Sequence, residues 1–212
     1  MEAFTTHRGI VATLNRSNVD TDQIIPKQFL KSIQRVGYGP SAFFDWRYDA
    51  AGNPLPDFEL NAPHFEGRSI LVTRHNFGCG SSREHAVWAL LQDGYRVVIA
   101  PWKDIKGERV PAFADIFRNN SIKNGLLTIE LSEEEVDRIF VLAERIDGLQ
   151  ATVDLPAQQI TLHAAEERSL SFDIDSAGKE RLLNGQDDID ISLAYEADIT
   201  RFEKTHETYL RS

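Results

Sequence analysis

Apolar residues fall in two rhythms along this chain, and each rhythm predicts a kind of element. Short dense runs, "GIVATL" (Gly9–Leu14), "RSILVTR" (Arg68–Arg74), "YRVVIAP" (Tyr95–Pro101) and "LLTIEL" (Leu126–Leu131), have the length and β-branched content of strands. Between two of them Ala86, Val87, Leu90 and Leu91 share a stripe at helical spacing, so a helix starting near Ser82 is expected. Strand, helix and strand make a βαβ unit with parallel strands and a right-handed crossover. "AFADIFRNNSIKNG" (Ala112–Gly125) reads as a helix ending in turn residues. In "LSEEEVDRIFVLAERI" (Leu131–Ile146) Ser132 and Glu135 form a capping box before an amphipathic run. "ATVDLPAQQITLH" and "RSLSFDID" predict an antiparallel meander. Two helical patterns close the chain, at Lys179–Asn184 and Ile189–Tyr209.

One segment breaks the rhythm. From Gly37 to Gly67 glycine, proline and aromatics mix without period. Long irregular segments in compact domains often carry function, so Phe43, Phe44 and Trp46 are candidate contact residues, with ordinary core packing the competing reading. The expected fold is one α/β domain with mixed sheets over residues 1–212, ending in a helical extension from about 176.

Composition narrows the function classes. At 42% hydrophobic residues a sizeable core is available, while no apolar run approaches the roughly 18 residues of a membrane span. A formal charge of −10 argues against a nucleic-acid surface. The first residues lack the pattern of a signal peptide and Cys79 is the single cysteine, so a cytoplasmic protein without internal disulfides is expected.

The chemistry concentrates in "NFGCGSSREHA" (Asn76–Ala86), just before the central helix. Gly78 and Gly80 let a ligand approach the backbone, helix-start amides favour an anion, and the guanidinium fork of Arg83 matches a carboxylate or phosphate. The dinucleotide fingerprint fails because Arg83 stands at its third glycine; the P-loop and the hydrolase elbow fail as well. Capping by Ser81 or Ser82, with Glu84 in the first turn, would account for the serines but not for the glycines and Arg83.

These residues resemble the signature of the swivelling domain of the aconitase superfamily, a β/β/α domain. In a chain of this length the resemblance is to the small-subunit family of 3-isopropylmalate dehydratase. "NVDTDQIIPKQFL" (Asn18–Leu30) and "FADIFRNNSIKNGLL" (Phe113–Leu127) resemble two further motifs of that family, in the expected order. The resemblance implies isomerisation of 2-isopropylmalate to 3-isopropylmalate by dehydration and rehydration, in leucine biosynthesis. It implies Ser81 as catalytic base, working as an alkoxide, with Asp22 as an active-site aspartate and Ser82 and Arg83 binding substrate carboxylate. An Asx-type turn is the other reading of Asp22. Glu84 and His85 are expected to hold the loop of Gly78, Cys79 and Gly80. The implied [4Fe–4S] cluster takes several cysteines, so it is expected on a large partner subunit, in a heterodimer or heterotetramer, and no metal is expected on this chain.

Within the segment after "DTD", Lys31 and Arg35 are candidate partners of a substrate carboxylate, and Phe29 and Ile33 of an isopropyl group. Surface charge and core packing are the competing readings. "WKDIKGERVPA" (Trp102–Ala112) stands as an insertion against the family pattern. Two alternatives stay open: the same role in a related hydro-lyase for citraconate, a methylated malate or homoaconitate, and an anion-binding module without chemistry.

Overall fold

The computed structural model describes residues 1–31, 35–81, 83–165, 168–193 and 195–205, the side chains of Lys31 and Thr205 excepted. Ser82 and Ile33 therefore lie outside the described residues. In chain order the elements are β1 (Thr6–Thr13), α1 (Thr21–Ile24), α2 (Phe44–Arg47), β2 (Arg68–Val72), α3 (Glu84–Gln92), β3 (Val97–Pro101), β4 (Lys103–Ile105) and β5 (Glu108–Val110). They continue with α4 (Asp115–Asn124), β6 (Leu127–Leu131), α5 (Glu133–Arg145), β7 (Gln150–Asp154), β8 (Gln159–His163), β9 (Arg168–Ser171), α6 (Ser176–Asn184), α7 (Asp188–Leu193) and α8 (Glu196–Thr205).

A 7-stranded sheet runs in the order β6-β3-β2-β1-β7-β8-β9. Its β6-β3-β2-β1 half is parallel and its β1-β7-β8-β9 half antiparallel, as the strand runs and the meander predict. The parallel half is covered on both faces. Val11, Ile70, Val72, Val97 and Ile99 join one core with Val136, Ile139 and Phe140 of α5. Their alternating neighbours Ala12, Leu71, Val98 and Ala100 join another with Ala86, Val87 and Leu90 of α3. Because successive side chains point to opposite faces, a strand sandwiched between helices must be apolar at nearly every position, and these are. Ser132 caps α5 through the reciprocal box with Glu135.

Four expectations change. The helix begins at Glu84, not near Ser82, with Arg83 as an extended N-cap that makes no side-chain cap. The backbone before it bonds sideways: Gly78 N–H donates to Val19 C=O (2.8 Å) and Thr21 N–H to Cys79 C=O (3.0 Å). The Thr21 hydroxyl also donates to Ser81 C=O (2.8 Å), the carbonyl that a helix begun at Ser82 would use for its first bond. Second, Phe43 is fully buried, stacked on Trp46 and tilted against Phe58, while Phe44 meets Phe29 edge-on; packing, not surface contact, explains this cluster. Third, the insertion folds into a β4–β5 hairpin with Gly107 at positive φ in its turn. Fourth, the last helical pattern divides into α7 and α8, and residues 206–212 lie outside the description.

Candidate active site

The loop ahead of α3 is shaped by two glycines with different reasons to be glycine. Gly78 has φ +75°, and a Cβ there would stand 2.1 Å from the Phe117 ring, inside that side chain. Gly80 has φ +90°, with its nearest neighbour, Asp20 Cβ, at 3.3 Å. Backbone angles open to glycine turn the loop past α1, and only at Gly78 is there no room for a side chain. On its far side Phe77 bridges to Phe113. The three motif segments thus lie side by side: residues 18–21, 76–81 and 113–117.

The segment around α1 sorts its aspartates. Asp20 is the N-cap and closes a capping box with Gln23, so the turn-forming role falls on Asp20. Asp22, in the first turn, is left to face outward, where its carboxylate pairs with the Arg83 guanidinium; Lys27 Nζ stands 3.4 Å from its other oxygen. The Thr21 hydroxyl donates to Ser81 C=O at 2.8 Å, pinning the exposed Ser81 beside this ion cluster. Thr21, Gly80, Ser81 and Arg83 line one side of a concavity of about 270 Å³; Ile116 and Phe117 form the opposite wall. Asp115, also in its lining, pairs with Arg118 (3.5 Å). Asp22 has two cations and Asp115 one, while Asp20 and Glu84 accept hydrogen bonds from Gln23 N–H and Asn124 Nδ2. Arg83 is the cation in the lining that can meet an anion, beside the apolar Ile116 and Phe117.

Comparison with known proteins shows the family. A family model described as the Aconitase C-terminal domain matches residues 1–134, and one described as LeuD_N matches residues 137–176. The chain is 64% identical over 210 residues to the 3-isopropylmalate dehydratase small subunit of Desulforapulum autotrophicum, covering 99% of this chain and 98% of that protein. It is 52% identical to the small subunit from Bacillus pumilus over the full length of both. The chain belongs to the family of 3-isopropylmalate dehydratase small subunits. The crystal structure of 3-isopropylmalate dehydratase from Methanocaldococcus jannaschii shares the fold, with TM-score 0.63 and 24% identity over 92% of this chain and 98% of that one. The family enzyme is a hydro-lyase, of which this chain is a subunit.

In this small subunit the structure brings together Ser81, Arg83, Asp22 and the Gly78–Gly80 loop, but not every candidate. Arg35 lies elsewhere: its guanidinium sits 5.4 Å from the Trp88 ring centre, and its carbonyl accepts from Gln92 (2.8 Å) on the last turn of α3. Lys31 ends a 3-10 turn, Lys27–Lys31, and its side chain is not described. Phe29 packs on Phe44, away from the lining of the concavity. Glu84 accepts from Asn124 Nδ2 (2.8 Å), and Asn124 in turn accepts from Trp88 Nε1 (2.9 Å), so Glu84 joins α3 to α4. His85 lies between Tyr38, met edge-on, and Trp88, met at a tilt. Thr21 and Lys27 are the neighbours that sequence reasoning missed; both lie inside the "DTDQIIPK" motif, which was the available signal.

Cys79 tests whether this chain's residues fit the cluster that the family implies. Burial pushes its thiol up from the ordinary value, and the Asp20 carboxylate adds to the shift. A cluster ligand must be a thiolate, usually among several, and here one cysteine is held protonated. No group of three or more His, Cys, Asp or Glu suited to a metal exists among the described residues. The donor set does not fit a cluster. Among the described residues no helix is long and apolar enough to cross a membrane.

Proposed function

We propose that this chain supplies the proton-transfer half of an active site for 2-isopropylmalate, converting it to 3-isopropylmalate with a large subunit that brings the [4Fe–4S] cluster. The observation that carries the reading is the Thr21–Ser81 hydrogen bond together with the Arg83–Asp22 pair. They bring an exposed hydroxyl and a guanidinium, both in the lining of the concavity, together with a carboxylate from another segment that pairs with the guanidinium.

Arg83 takes a substrate carboxylate through its planar fork, which positions the adjacent carbon over Ser81. Ser81 Oγ, as alkoxide, accepts the proton from that carbon during dehydration and returns one during rehydration. A serine hydroxyl is a poor base until its anion is stabilised. Arg83 and the first amides of α3 provide positive potential within reach. Asp22 orients Arg83 and tempers its charge. The Ile116–Phe117 wall gives the apolar portion of the substrate a surface.

Ser81→Ala, assembled with the large subunit, tests the reading. Turnover of 2-isopropylmalate is expected to fall about 10²–10⁴-fold, the usual worth of a positioned base, with assembly and substrate binding retained. Undiminished turnover would remove Ser81 from the chemistry; conversion of citraconate, a methylated malate or homoaconitate in preference would reassign the substrate.

A further inference from the structure

The outer face of α4 starts at the site and leads away from it. Ile116, Asn119 and Lys123 recur at helical spacing and floor a groove of about 820 Å³, whose other side includes Arg181, Ile191 and Tyr195. Ile116, half exposed, belongs to both this groove and the active-site concavity, so the two are continuous. The groove follows α4 for its 10 residues, roughly 15 Å. At its far end Asp188 fastens the start of α7 to Lys123 (3.1 Å) and to Arg181. Beyond that anchor α7 buries no residue, and Ile189, Leu193, Tyr195 and Ile199 are 69%, 58%, 61% and 45% exposed. Helices this short gain little stability alone and need a surface to cover their apolar side.

We infer that the α4 groove and the apolar side of α7 and α8 form the docking surface for the large subunit; this rests on the proposed reading. Whatever completes the site must cover Ile116, and the groove leads from there past Asn119 and Lys123 to the apolar Ile191 and Tyr195. Charge selects the same occupant. Asp187, Asp188, Asp190, Glu196, Asp198 and Glu203 outnumber Arg201 and Lys204 along these helices. A second copy would bring like charges together across a symmetric contact, whereas a different chain can offer an apolar floor rimmed by lysine and arginine.

The test titrates the small subunit into cluster-reconstituted large subunit by calorimetry, with Leu193→Glu, Ile199→Glu and, as control, Val141→Glu on α5 across the sheet. For the first two, Kd is expected to rise about 30-fold or more, with kcat at saturation and the circular dichroism of the isolated chain unchanged; the control keeps the wild-type Kd. An unchanged Kd for both would overturn the inference. So would equal weakening by Val141→Glu, or self-association of the small subunit that Leu193→Glu abolishes while large-subunit affinity stands. A wild-type pair that assembles but leaves 2-isopropylmalate unconverted would overturn the substrate reading alone, and the Kd comparison would still decide the docking surface.

Discussion

At each end of α3 a carboxylate sits between two cations, and the two arrangements serve opposite purposes. At the C-terminal end Asp93, the C-cap, accepts both forks of Arg47 (2.8 Å each) and Arg68 Nη2 (2.8 Å), while Arg68 Nε donates to Tyr95 Oη (2.6 Å). Arg47 and Asp93 are 7% and 12% exposed. At the N-terminal end Asp22 meets Arg83 and Lys27, with exposures of 40%, 18% and 71%. Burial is the difference. The closed cluster ties the segment before β2 to the helix and fixes where α3 ends. At the open one Asp22 and Lys27 stay in contact with solvent, while Arg83 is nearly as covered as Arg68, which is 15% exposed. One helix is locked at one end so that chemistry can stay adjustable at the other.

The comparison breaks first at Asp93. Asp93→Ala strands two guanidinium groups in a closed environment and is expected to cost about 3–5 kcal/mol in urea unfolding of the isolated chain. A loss below 1 kcal/mol would mean that the closed end is not structural. Next comes Gly78→Ala, which combines a left-handed backbone with overlap on Phe117. About 2–4 kcal/mol is expected, against about 1–2 for Gly80→Ala, where the backbone conformation is strained and the contact with Asp20 Cβ, at 3.3 Å, is only slightly tight. Equal losses would remove the Phe117 contact as a cause.

Alkali offers a graded test of the closed end. Burial pushes the Tyr95 phenol up to about 12, and Asp93 adds to the shift while Arg68 opposes it. A group whose folded value is raised holds its proton more tightly in the folded state. Its contribution is complete below the ordinary value of 10.0 and is lost as pH rises from there toward about 12. The melting temperature of wild type should therefore fall more steeply across that window than that of Tyr95→Phe. Smallest in stability is Asp22→Ala, expected below about 1 kcal/mol as for other exposed pairs. Its effect should appear in turnover, because Arg83 loses its orienting partner. A large unfolding effect here would erase the contrast between the two ends.

How much of this could be read from the sequence depended on whether the cause was local. The runs at β2 and β3 were legible because burial on both faces leaves no polar alternation. The Ser132–Glu135 box was legible because a cap spans only three residues. Ser81, Arg83 and the two glycines stood out as candidate chemistry, but the reason for Gly78 lies in Phe117, on a helix that follows three further strands in the chain. Which aspartate caps and which faces Arg83 could not be read from "DTD", since either fits a turn until tertiary contact with the loop decides. The Arg47–Asp93–Arg68 cluster leaves no spacing signature at all. Phe43 stands in an aperiodic stretch, and its burial follows from ring contacts with Trp46 and Phe58 rather than from any repeat.

The guanidinium at position 83 is already occupied before any small molecule arrives. On the proposed reading an incoming carboxylate displaces an internal one, and the affinity gained is a difference between two similar bonds. Capture through that arginine is then shallow and readily reversed.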